Sequence, residues 1–134
     1  HFNRGEFAAA IGEFRTVVEL NPNLARGYFY LGSCYIALRQ AADAVKALLR
    51  AREMEPDDGR IRIELGRARA LNGDLAGAVE SFREAIRLNP YLEMPHYYLA
   101  GILESQNLHD QSSHHRTEFE RLRDLASSLS PEDN

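Results

Sequence analysis

One pattern of residues returns along this chain at a fixed interval, and it limits the architecture more than any other feature. Tyr28, Leu31, Gly32, Tyr35, Ala44, Leu48, Ala51 and Pro56 set the pattern, and thirty-four positions later Leu65, Gly66, Ala78, Phe82, Ala85 and Pro90 fall in the same places. The same step backward meets Ala10, Phe14, Val17 and Pro22. Self-similarity at this period is the mark of stacked copies of one supersecondary unit, each of which needs its neighbours to bury its apolar face.

Within the unit the order is aromatic-x2-Leu-Gly-x2-Tyr, then Ala followed four places on by a large apolar residue, then Pro. This arrangement resembles the tetratricopeptide repeat, and the likeness extends to about Asn107. The resemblance implies an all-α fold, a right-handed α-α superhelix (solenoid) of antiparallel helix pairs. On that reading residues 1–24 are the second half of a unit, 25–58 and 59–92 are complete units, and 93–130 form a divergent unit with a longer terminal capping helix. Residues 131–134 are a tail. All of this makes one domain, expected to be a fragment of a longer protein because the chain begins at His1 without Met.

Composition agrees with a packed globular class. Hydrophobic residues make up 44% and charged residues 27%, so the compositions that signal disorder or collagen are excluded. No apolar run reaches the roughly 18 residues of a membrane span, and no basic-then-apolar stretch reads as a signal peptide. A soluble protein without membrane insertion is therefore expected, in the cytoplasm, with the periplasm as the alternative. The net charge of −4 argues against nucleic acid as a partner. A single cysteine, Cys34, rules out a disulfide within the chain; two places after the helix glycine, it reads as a small buried hydrophobe.

Along the chain, His1 to Arg4 read as the last turn of an earlier helix and Gly5-Glu6 as the turn after it. Phe7, Ala10, Ile11, Phe14, Val17 and Val18 then keep helical spacing, and Asn21-Pro22-Asn23 stops the helix. Its apolar face calls for a cover, either an upstream helix or a second copy. Helices are predicted near Ala25–Leu38 and Ala41–Met54, with Asp57-Asp58 capping the next one. Gly32 and Gly66 lie inside helices, where glycine costs about 1 kcal/mol relative to alanine. Close approach of a partner helix, with Ala44 and Ala51 or Ala78 and Ala85 as the small facing surface, accounts for them. Asn72-Gly73-Asp74 is a strong turn.

Three departures from the pattern bear on function. Arg62 and Arg69 stand where the first unit has Tyr28 and Tyr35; their stems can cover apolar surface while the guanidinium groups reach outward, and the alternative is an anion site. Ala100 replaces the helix glycine in the third unit. His109-Asp110-Gln111-Ser112-Ser113-His114-His115 is polar where Ala and a large apolar residue are expected, and reads as a solvated helix start in an end cap. The histidines lack a second set of converging ligands, so no metal site is expected, and His96 reads as packed. No nucleophile with its base, Gly-rich phosphate loop or carboxylate pair is present, so neither an enzyme activity nor a cofactor is expected.

Binding is the function left. Opposite the packing stripe of each first helix runs a second stripe: Arg26, Phe29, Tyr30 and Ser33; then Arg60, Ile63, Glu64 and Arg67; then Met94, Tyr97 and Tyr98. The resemblance implies that these stripes line the concave groove of the superhelix, where a peptide or partner protein lies. Aromatic, Arg and Met side chains with few Lys make an interface composition. The arginines suit acidic groups and the aromatic residues suit apolar anchors; the alternative for Phe29 and Ile63 is packing between units. Relatives that grip the acidic C-terminus of heat-shock chaperones use Lys and Asn here, whereas the one lysine, Lys46, lies on a second helix. That partner is disfavoured. The alternative functions are a self-assembly scaffold, with a homodimer made through the N-terminal helix face, and a regulatory domain of a larger enzyme.

Overall fold

The computed structural model describes residues 3–129. Among the described residues seven α-helices and no strands follow in order: α1 (Arg4–Leu20), α2 (Ala25–Ala37), α3 (Ala41–Met54), α4 (Gly59–Leu71), α5 (Leu75–Leu88), α6 (Met94–Ser105) and α7 (His109–Ser128). α2 packs on α3, α4 on α5 and α6 on α7. The first helix of each later pair also seats against both helices of the pair before it, α4 on α2 and α3, α6 on α4 and α5. The result is an all-α solenoid.

The helix ends follow from local chemistry. Asp58 accepts a hydrogen bond from the Arg60 amide at 2.9 Å, and Asp74 accepts one from the Gly77 amide at 2.9 Å; each satisfies a donor that the helix itself leaves open. The turn within each pair has one left-handed residue, Arg39 (φ 60), Gly73 (φ 85) and Asn107 (φ 62), and these are spaced at the repeat period. The amide beyond each one reaches back across the turn: Gln40 to the Tyr35 carbonyl at 2.8 Å, Asp74 to Arg69 at 2.9 Å and Leu108 to Leu103 at 2.9 Å. This is the closure expected of a left-handed helix terminus.

The core is a string of small clusters rather than one mass. Ile11, Val18, Leu31, Cys34, Leu38 and Ala47 form the first; Ala44, Leu48, Leu65 and Ala68 the second; Ile63, Ala78, Phe82, Ala85, Leu99 and Leu103 the third. Gly32 and Gly66 do mark close helix approach, and the side chains nearest to them are Leu48 and Phe82. A Cβ on Gly32 would stand 2.5 Å from Leu48 Cγ, and one on Gly66 would stand 2.7 Å from the Phe82 ring. Burial raises the pKa of the Cys34 thiol, as expected for a buried hydrophobe.

Two expectations are corrected. Gly5-Glu6 is not a turn: α1 begins at Arg4, with the Asn3 side chain accepting from the Glu6 amide at 3.0 Å and donating to the Glu6 carboxylate at 3.2 Å. This side-chain cap starts the helix early; His1 and the Pro131 stop lie outside the described residues. The polar run at the start of α7 is not uniformly solvated either. Ser112 and His115 are buried, because Ser112 takes the place of Ala44 and Ala78 and sends its hydroxyl to the Ala100 carbonyl at 2.9 Å. α7 spans 20 residues, against 14 for α3 and for α5.

Candidate functional site

α2, α4 and α6 present their second stripes side by side, and three recesses open along them. The first, of about 610 Å³, is lined by Arg26, Phe29, Tyr30, Arg60, Glu55 and Asp58 among others. The second, of about 570 Å³, has Phe29, Arg60, Ile63, Glu64, Arg67, Met94 and Tyr98, with Tyr91 and Ala126 at its edge. The third, of about 580 Å³, has Arg67 and Tyr98 again, with Ile36, Ala37, Arg39, Leu71 and Ile102. Phe29 and Arg60 border the first two, and Arg67 and Tyr98 the last two, so the recesses form one groove.

Nine of the eleven sequence-derived residues line the first two recesses. Ser33 does not; its hydroxyl bonds Glu64 Oε2 at 3.1 Å and the Phe29 carbonyl at 3.1 Å. Tyr97 lines neither; it borders a further recess of about 510 Å³ with Tyr98, Gly101, Arg116, Phe119 and Arg123, which meets the groove at Tyr98 and Ile102, and its ring lies 5.4 Å from that of Phe119. Ile63 is buried in the third core cluster, and Phe29 packs against the second, so both join neighbouring units as well as bordering the groove.

The aromatic residues also hold the joints. Tyr30 stacks on Phe14 at 5.5 Å between ring centres, and Tyr98 stacks on Phe82 at 5.3 Å; the two pairs are equivalent, two periods apart. At the middle joint the same places carry Leu48 and Glu64. There the Ser33 hydroxyl, the Glu64 carboxylate and the Arg67 guanidinium replace the ring pair, with Arg67 Nη1 2.9 Å from Glu64 Oε1.

Three of the groove arginines, Arg26, Arg60 and Arg67, differ in their freedom. Burial works to lower the Arg67 pKa, but the charge and hydrogen bond of Glu64 outweigh it and leave it raised; the guanidinium also lies 5.4 Å over the Tyr98 ring. Burial raises the Tyr98 phenol. Arg60 makes a longer 3.4 Å bridge to Asp58, which raises its pKa. Arg26 is exposed and makes no salt bridge among the described residues.

Arg62 and Arg69 point elsewhere. Arg69 Nη1 donates to the Ser81 hydroxyl at 2.8 Å, and Arg62 Nη2 donates to the Pro56 carbonyl at 2.9 Å while its buried Nε has no acceptor. Burial, then the charge of Arg52, lowers the Arg62 pKa. His96 and His115 are buried against each other, Nδ1 to Nδ1 at 2.8 Å, while His109 pairs with Glu104 at 2.8 Å. No group of three or more metal-ligating side chains occurs among the described residues.

Sequence reasoning missed the third recess, although the signal was present: one more helical turn along each stripe reaches Ile36 and Ala37, then Ala70 and Leu71. Tyr91 and Ala126 carry no local signal, since a loop and the last helix bring them to the groove. No described helix is long and apolar enough to cross a membrane.

A family model for the tetratricopeptide repeat matches residues 1–44 and 35–93. No curated protein matches the sequence. Among solved structures the chain is similar to a crystal structure of MamA, with a TM-score of 0.85 and 20% identity over 93% of this chain and 73% of that one. MamA 41-end from Desulfovibrio magneticus RS-1 gives 0.84 and 24%, over 94% and 70%. A Thermobaculum terrenum O-GlcNAc transferase mutant gives 0.70 and 21%, over 75% of this chain and 19% of that one. At these identities the likeness speaks for the fold.

Proposed function

The chain belongs to the tetratricopeptide repeat family, and we propose that it works as a non-catalytic protein-interaction module whose groove takes a peptide with apolar anchors and acidic groups. The observation that carries this reading is the continuity of the first two recesses: Phe29, Ile63, Met94 and Tyr98 supply apolar surface, with Arg26 and Arg60 beside them. A guanidinium that is exposed or only loosely bridged can pair bidentately with an incoming carboxylate. Arg67 contributes less charge than the sequence suggested, because Glu64 already neutralises it.

The test compares two charge reversals in capture of a partner by the purified chain. Arg26→Glu with Arg60→Glu should weaken capture at least about tenfold, near 1.4 kcal/mol. Arg15→Glu with Arg52→Glu, on α1 and α3 and lining none of these recesses, should leave it intact. Equal losses from both pairs, or none from the first, would remove the assignment to the groove.

A second reading, self-assembly through α1, rests on Val17 and Leu20, which are 37% and 82% exposed on a helix whose buried residues are Ile11 and Val18. Light scattering that finds a monomer at every concentration would dismiss it.

A further inference from the structure

We propose that the contact between His96 and His115 is an acid-released latch that holds α7 on α6. The two rings belong to different helices, both are buried, and their Nδ1 atoms lie 2.8 Å apart. A contact of that length between two imidazole nitrogens needs one N–H and one lone pair. A neutral pair supplies both, with one ring as the Nδ1–H tautomer and the other as the Nε2–H tautomer. One added proton is accommodated on the far nitrogen of the donor ring. A second must go to the accepting Nδ1, which places two N–H groups and two cations face to face across the helix joint.

The surroundings oppose protonation well before that point. Arg83 approaches from α5, and His114 and Arg121 from α7. The acid that faces the pair is Glu118 on α7, and Arg121 already engages it at 2.8 and 3.1 Å. Burial first, then His96, His114 and Arg83, hold His115 down to about 4; burial also lowers His96. Protons can reach the site, since a recess of about 350 Å³ lined by Arg83, Asp110, Gln111 and His114 opens onto His115.

The sign follows from linkage. A histidine whose folded pKa is depressed binds fewer protons folded than unfolded between the two values, so stability rises with pH there. The contribution of the latch is complete above the ordinary histidine value of 6.5 and is lost progressively as pH falls toward about 4. Detachment of α7 also removes Phe119 from beside Tyr97 and Ala126 from the edge of the second recess. The latch itself does not depend on what the groove binds.

Hydrogen exchange with mass-spectrometric readout, corrected for intrinsic chemical exchange, tests this on the whole chain at about pH 7.5 and about pH 5. Amide protection in α7 should fall at least about tenfold on acidification, while that of α3 holds. The double variant His96→Tyr/His115→Ala puts into this joint the residues that the first unit carries at the same places, Tyr28 and Ala47. Its α7 should keep its protection at both pH values. Unchanged α7 protection in the wild type would overturn the proposal, as would acid loss in the double variant equal to that of the wild type. Should the variant not fold, NMR titration of the wild-type protein decides: His96 and His115 should charge below the ordinary histidine value of 6.5, and titration of both at or above it would refute the latch.

Discussion

Replacing Gly66 with alanine should destabilise the protein, although helix propensity alone predicts the reverse. Inside α4 the added methyl group favours the helix by about 1 kcal/mol. The new Cβ, however, would stand 2.7, 2.8 and 2.9 Å from three ring carbons of Phe82, where carbon atoms prefer about 3.5–4.0 Å. The ring must retreat by most of an ångström, yet it is 1% exposed and stacked on Tyr98 at 5.3 Å. Overpacking of this kind costs about 1–3 kcal/mol, which leaves a net loss of about 1 kcal/mol, within a range of about 0–2. Gly101→Ala is the control, because nothing lies within 4 Å of its Cβ; it should stabilise α6 by about 0.5–1 kcal/mol. Urea unfolding followed by circular dichroism reads both as midpoint shifts of opposite sign at equal slope. If the Gly66→Ala midpoint rose alongside that of Gly101→Ala, the close-approach account of the helix glycine would be wrong.

Two further outcomes follow from the turns and caps. Arg39→Gly should raise the urea midpoint, by about 1 kcal/mol in stability, because a residue with a side chain there occupies left-handed backbone that glycine adopts freely; Gly73→Ala should lower it. Asp58→Ala should cost about 1 kcal/mol by removing the acceptor of the Arg60 amide, and amide exchange by NMR should quicken first at the start of α4.

The period made the fold legible because it is written in residues whose roles are local and repeated: a glycine under a large side chain, a small residue opposite, a proline after the helix. The groove was legible in part for the same reason, since helical phase places Arg26, Phe29, Arg60 and Ile63 along one side. Phase could not separate Tyr97 from Tyr98. The two are adjacent in sequence and share one recess, yet Tyr98 stacks on Phe82 and reaches the groove while Tyr97 meets Phe119. Arg67 illustrates a second limit: its charge was plain, but its neutralisation by Glu64 depends on rotamers and burial that no spacing encodes. The cap of α1 was misread because Asn3 and Glu6 satisfy each other reciprocally, which turned an apparent turn into a helix start. Ser112 and His115 were misread because a polar side chain was equated with solvent, although each found a partner inside.

The joint that carries Ser33, Glu64 and Arg67 differs from those closed by Phe14 with Tyr30 and by Phe82 with Tyr98, and it therefore answers to a different variable. Glu64 and Arg67 both stand on α4, three residues apart, so the polar contact that crosses the joint is the hydrogen bond from the Ser33 hydroxyl to the Glu64 carboxylate. A hydrogen bond weakens steeply with angle, whereas two stacked rings tolerate offset, so the middle joint answers to the rotation of one coil on the next and the joints on either side allow their coils to slide.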